Sequence, residues 1–290
     1  MRPRVYDEAP PSTVDRPIAL ALGAGGARGI AHIVVLEALD ELGLKPSVIV
    51  GTSMGAIVGA IYAAGFSGQA LRLHVFRTLR RRQYVLARLL EARVGRFADI
   101  LTRGLTNPVL VDAELVLGLF WPSAMPDGFE ELALPLFVVA TDFFAQEEVV
   151  LHSGDLRSAV AASMAIPGLV RPVTRNGRVL IDGGAINPLP YDLVSGRDAI
   201  VLACDVGRGP MDATLTVPPT PFEAMFGAAQ MMQSAIAIKM IQASPPDLLI
   251  RPPVNRYKAL DFFRFAQILR AAETVKDDIK RQLEAALGRR

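Results

Sequence analysis

The 290-residue sequence is poor in the groups that most readily mark out a function. Its one cysteine, Cys204, rules out an intrachain disulfide and is compatible with a reducing compartment. The three histidines, His32, His74 and His152, stand at no metal-ligand spacing with one another, with Cys204 or with carboxylates, so neither metal nor organic cofactor is expected. Charge is nearly balanced, with 31 Lys and Arg against 29 Asp and Glu, which excludes the strongly basic character of a nucleic-acid binder. The most apolar run, residues 56–66, is about half of the roughly 20 residues a membrane span needs. Residues 1–15 carry Pro3, Pro10, Pro11 and mixed charges without the apolar stretch of a secretory signal, and read as a disordered lead-in. The expectation is a cytoplasmic protein, soluble or peripheral at the inner membrane surface.

What the sequence has is apolar bulk: 51% hydrophobic residues, enough for a substantial core in one domain over residues 16–290. Short apolar strand candidates fall at residues 18–22, 48–50, 134–140, 149–152, 178–181, 199–203 and 248–251. Helical patterns lie between several of them, as at residues 30–42, where Ile33, Leu36 and Leu39 share a face and Gly43 is the stop. This alternation predicts an α/β fold, a three-layer sandwich with a central, mostly parallel sheet flanked by helices.

Residues 71–126 break the alternation and are expected to form a cap. Between residues 71 and 96, Arg72, Arg77, Arg80, Arg81, Arg82, Arg88, Arg93 and Arg96 stand against Glu91 alone, interleaved with Leu73, Phe76, Leu86 and Leu90. Such a segment suits peripheral contact with an anionic lipid surface, or a solvated helix face whose arginines pair within the fold. Residues 218–290 read as a C-terminal helical part. Its first helix carries Met225, Met231, Met232 and Met240, which suit acyl chains or another subunit, although methionines at helical spacing more commonly pack on a sheet.

Two motifs point to acyl-transfer chemistry. In Gly51-Thr52-Ser53-Met54-Gly55 an apolar strand runs into a glycine-flanked serine and a small-residue helix runs out, the pattern of a nucleophile elbow. Asp182 follows Val179-Leu180-Ile181 and opens a Gly183-Gly184 turn, so it reads as a separate acidic partner at a strand end or as a turn aspartate bonding its own backbone. No histidine follows Asp182, which argues against a triad in the order Ser, acid, His; His32 reads as a packing or helix-positioning residue. Upstream, the strand 18–22 opens into Gly23-Ala24-Gly25-Gly26-Ala27-Arg28-Gly29, a loop of small residues whose amides suit a developing oxyanion or a phosphate. A dinucleotide fingerprint fails there, because its third glycine falls on Arg28.

The order of glycine loop, Gly-Thr-Ser-Met-Gly and Asp182-Gly183-Gly184 resembles the patatin-like phospholipase family, as do Ala162-Ser163-Met164-Ala165-Ile166-Pro167 and Ala140-Thr141-Asp142. The resemblance implies acyl hydrolysis by a Ser-Asp dyad: Ser53 as nucleophile, Asp182 as base, and an oxyanion hole from Gly25, Gly26, Ala27 and Arg28. It also implies a lipid ester substrate, such as a phospholipid or lysophospholipid. Ala24 departs from the glycine many members carry there, adding one methyl. For Arg28 two roles stand side by side: electrostatic support of the oxyanion or head group, or holding loop carbonyls in place. The rival reading of the whole chain is a binding or regulatory protein on the same fold, acting through lipid-surface or protein contacts.

Overall fold

The computed structural model describes residues 16–94, 110–196, 198–207 and 218–288; the expected lead-in and Arg96 lie outside them. The chain runs through β1 (Ile18–Leu22), a 3-10 turn (Gly26–Ala31), α1 (His32–Glu41), β2 (Pro46–Thr52), α2 (Met54–Ala63), α3 (Gly68–Leu79) and α4 (Arg82–Glu91). There follow β3 (Arg93–Val94), β4 (Leu110–Val111), α5 (Ala113–Leu117), β5 (Leu136–Asp142), β6 (Glu147–Leu151), α6 (Leu156–Ser163), β7 (Val173–Arg175) and β8 (Arg178–Asp182). The last elements are β9 (Ile200–Cys204), α7 (Pro221–Ala243), β10 (Leu248–Ile250), α8 (Phe265–Glu273) and α9 (Lys276–Ala286).

Five strands, in the order β10-β9-β1-β2-β5, pair in parallel, and β6, β7 and β8 add an antiparallel end. The parallel strands read as unbroken apolar runs because both faces are covered. Ile18, Leu20, Leu22, Ile49, Leu136, Val138 and Leu202 point into a large core shared with α1, α2, α3, α8 and α9. Their neighbours Ala19, Ala21, Val48, Val50, Val139 and Ala203 point to a thinner core closed by Leu189, Tyr191 and Val194 and by Ala237 of α7. The result is a mixed sheet between two helical layers, the three-layer α/β arrangement.

The pairing of β5 places the site. β2 pairs with β5 over Leu136–Val139 and β8 pairs with it over Ala140–Asp142. β6 spans Val138–Asp142 and overlaps both, so it holds the opposite edge of β5. β2 and β8 therefore share one edge and approach along it from opposite directions, their carboxyl ends meeting at the Val139–Ala140 step.

Two expectations need correction. The helix expected from residue 30 begins only at His32, because the glycine-rich stretch before it winds as a tight 3-10 turn. The commoner reading of the methionine-rich helix, packing on the sheet, fails for three of its four methionines: Met225, Met231 and Met232 are 57%, 66% and 66% exposed. Only Met240 packs against the second core, beside the buried Ala237. Apolar residues occur on every side of α7, so periodicity does not single out the side that packs.

Candidate active site

Ser53 sits between β2 and α2 with φ 56° and ψ −120°, a left-handed backbone that a non-glycine residue adopts at a cost of about 1–3 kcal/mol. The turn is this tight because α2 starts directly against β1. A Cβ on Gly51 would lie 2.6 Å from the carbonyl carbon of Gly55, and one on Gly55 would strike the carbonyl of Leu22. Both flanking glycines are thus required by close backbone approach, and Ser53 is presented at the mouth of the sheet as a helix N-cap residue without a side-chain cap bond.

That side chain turns instead to Asp182. Ser53 Oγ donates to Asp182 Oδ2 at 2.6 Å, and both residues are buried. The other carboxylate oxygen, Oδ1, accepts the amide of Gly184 at 2.7 Å. The two sequence readings of Asp182 are therefore combined in one carboxylate, one oxygen closing the glycine turn and the other holding the serine. Burial pushes the Asp182 carboxyl up to about 6, against the lowering pull of the bonds from Ser53 and Gly184.

A contact that sequence reasoning left without a role lies beneath the pair. The backbone amide of Ser53 donates to Ser163 Oγ at 2.9 Å, and the amide of Asp182 donates to the carbonyl of Ala165 at 3.0 Å. The signal was present in Ala162-Ser163-Met164-Ala165-Ile166-Pro167, but nothing in that string says which backbone groups it meets.

The glycine loop is held from several sides. The amide of Gly23 donates to Cys204 O at 3.1 Å, and that of Ala24 to Pro188 O at 2.8 Å. His32 Nε2 lies 2.9 Å from the Gly23 carbonyl, and burial lowers its pKa to about 4, against the bond to Gly23 and the charge of Asp205. The ring is neutral at physiological pH and donates from Nε2. Arg28 is buried; its Nε donates to Val206 O at 2.9 Å and its Nη1 to Gln230 Oε1 and Tyr257 O, both at 3.2 Å. Of the two readings of Arg28, holding loop carbonyls is the one these bonds display. Two of the four expected oxyanion amides are already engaged, Ala27 with Ala259 O at 2.7 Å and Arg28 with Gly25 O at 3.3 Å. Those of Gly25 and Gly26 make no protein hydrogen bond among the described residues.

The other histidines are turned elsewhere: His74 Nε2 lies 2.9 Å from Phe120 O, and the His152 ring lies 5.6 Å from that of Phe137. Among the described residues no group of His, Cys, Asp and Glu is arranged to hold a metal ion, and no helix is long and apolar enough to cross a membrane. In the arginine cluster Arg72 pairs with Glu37 and Glu273, Arg88 with Glu91, and Arg82 lies over the ring of Phe263. Arg80 and Arg81 make no ion pair among the described residues, and with Arg77, Tyr84 and Trp121 they line an open groove of about 1090 Å³. The side chain of Arg93 lies outside what is described.

The patatin-like phospholipase family profile matches residues 20–195. An uncharacterized NTE family protein of Mycobacterium bovis is 40% identical over 182 residues, covering 63% of this chain and 46% of its own. Patatin-like phospholipase domain-containing protein 7 of Rattus norvegicus is 32% identical over 87% of this chain and 20% of its own. Lysophospholipase NTE1 of Meyerozyma guilliermondii is 29% identical over 90% of this chain and 19% of its own. The chain thus spans about half, or only a fifth, of the length of these curated relatives. With the family profile matching well over half of its length, the chain belongs to the patatin-like phospholipase family.

Proposed function

We propose that the chain is a serine acyl hydrolase for carboxylic esters of lipids, with Ser53 as nucleophile and Asp182 as general base. The observation that carries this reading is the buried 2.6 Å hydrogen bond from Ser53 Oγ to a carboxylate whose affinity for protons burial has raised. At its ordinary value near 3.8 aspartate is a weak base; near 6 it is matched to accepting a serine proton at neutral pH.

Ser53 Oγ attacks the ester carbonyl while its proton passes to Asp182 Oδ2. The oxyanion is met by the amides of Gly25 and Gly26 and by that of Met54, which as the first residue of α2 has no intrahelical acceptor. Collapse expels the alkoxide, which takes the proton from Asp182 and leaves an acyl-Ser53 ester. Asp182 then draws a proton from water, hydroxide attacks the acyl carbonyl, and the proton returns to Ser53 as the acid departs. His32 takes no part, since its Nε2 is committed to Gly23 and its ring stays neutral.

A lipid substrate is supported by family membership and by the name of the fungal relative, a lysophospholipase. Peripheral contact with an anionic membrane through Arg77, Arg80 and Arg81 fits the same reading.

The test is ester hydrolysis over a short-to-long acyl series, with fluorophosphonate labelling. Ser53→Ala and Asp182→Asn are expected to fold, by circular dichroism, and to lose about a thousandfold or more in kcat. Labelling is expected in the wild type and absent from Ser53→Ala. Wild-type turnover retained by either folded variant would refute the dyad, and lipid-surface binding without turnover or labelling would favour the binding-protein reading.

A further inference from the structure

Ser53 and Asp182 reach each other from two strands that are not paired. β2 and β8 meet end to end along one edge of β5, and where they part the carbonyl of Val139 is left facing the gap. The chain passes so near this carbonyl that a Cβ on Gly183 would collide with it. Among the described residues no strand partner fills the gap. It is filled by Ser163, the last residue of α6, fully buried, whose hydroxyl proton goes to Val139 O at 2.6 Å. A serine at a helix end commonly bonds back to its own preceding turn; this one reaches across to the sheet instead. Its single proton being committed there, a lone pair faces the amide of Ser53, which donates to it at 2.9 Å. Two residues on, the carbonyl of Ala165 accepts the amide of Asp182 at 3.0 Å. One short segment thus grips β5, the nucleophile and the base at once.

We propose that Ser163 is a positioning residue for catalysis: its hydroxyl, anchored on Val139, holds the left-handed backbone of Ser53 at the separation from Asp182 that proton transfer requires. The hydroxyl touches neither substrate nor the reacting atoms and acts through the Ser53 amide. A strained backbone persists only where its surroundings over-determine it. The first residue of an elbow has no intrahelical acceptor for its amide, so this acceptor must come from elsewhere in the fold.

This inference rests on the dyad reading, and the test separates the two. Ser163→Ala and Ser163→Cys are compared with wild type on a soluble short-chain ester, with Ser53→Ala and Asp182→Asn as controls. For Ser163→Ala we expect kcat to fall roughly 10- to 100-fold with KM within about twofold, since a misplaced reacting group loses rate rather than binding. The acidic limb of the pH profile should also move upward, because the Ser53 hydrogen bond that lowers the Asp182 pKa is weakened. Ser163→Cys keeps the shape while weakening both bonds, and is expected to show the same two changes to a smaller extent; it serves where the alanine variant does not fold. Folded Ser163 variants with wild-type kcat and an unmoved limb would overturn the proposal, as would a loss of thermal stability without either kinetic change. If Ser53→Ala or Asp182→Asn retains turnover, the dyad reading itself fails.

Discussion

At the scale of single residues, two buried titratable groups dominate, and they act on stability in opposite directions. The unfolded chain protonates His32 near 6.5, whereas the folded chain resists until about 4, so the stability associated with His32 is fully present above 6.5 and is lost as pH falls toward 4. For Asp182 the folded carboxyl keeps its proton up to about 6 while the unfolded one releases it near 3.8. Its ionisation therefore costs stability above 6, and that cost fades as pH falls to 3.8. Each effect is worth about 3 kcal/mol at its limit, and between pH 4 and 6 they largely cancel. Asp182→Asn is expected to stabilise the fold at pH 8 by up to about 3 kcal/mol and to steepen its loss of stability on acidification. His32→Gln, which keeps a donor for Gly23 O, should do the reverse and leave a fold that gains stability between pH 6 and 4. Urea unfolding across pH 4 to 8 checks both, and pH-independent differences from wild type would refute them. The same carboxyl sets an expected acidic limb near pH 6 in kcat/KM.

At the scale of elements, the parallel strands and the elbow were legible in the sequence because burial on both faces leaves unbroken apolar runs and tight backbone contact leaves glycines. β7 escaped the strand reading, although Asn176-Gly177, with φ 49° and 76°, is a hairpin-turn pair and a readable signal for the β7–β8 hairpin. The outward methionines of α7 and the grip of Ser163 were not readable, since each depends on which of several equal faces meets a distant strand. In α3 and α4 the sequence left a choice between lipid contact and internally paired arginines. The structure divides the cluster, with Arg72 and Arg88 paired and Arg80 and Arg81 free of ion pairs among the described residues. Replacing Arg77, Arg80 and Arg81 together with Gln is expected to weaken sedimentation with anionic vesicles severalfold and to spare hydrolysis of a soluble ester. Equal losses in both assays would make these arginines supports of the fold.

At the scale of the whole molecule, Glu37 ties the helical layer together. Only 6% exposed on α1, it accepts Arg72 of α3 at 2.5 Å and Lys276 of α9 at 3.0 Å; Glu273 of α8 meets both cations. Without Glu37, Arg72 and Lys276 keep only the more exposed carboxylates, Glu273 for both and Glu41 for Lys276, so Glu37→Ala is expected to lose about 2 kcal/mol by urea denaturation through the lost charged hydrogen bonds. A loss under about 0.5 kcal/mol would mean the cluster behaves as an exposed surface pair.

The meeting of β2 and β8 along one edge of β5 bears on folding order as well as chemistry. Ser53 and Asp182 are 129 residues apart in the chain, and under the proposed dyad neither strand alone makes a competent nucleophile. Closing so long a loop belongs to the slow, non-local part of folding. Reactivity of the serine toward a covalent probe should therefore lag behind the recovery of helical signal during refolding, and would time the docking of β8 onto β5.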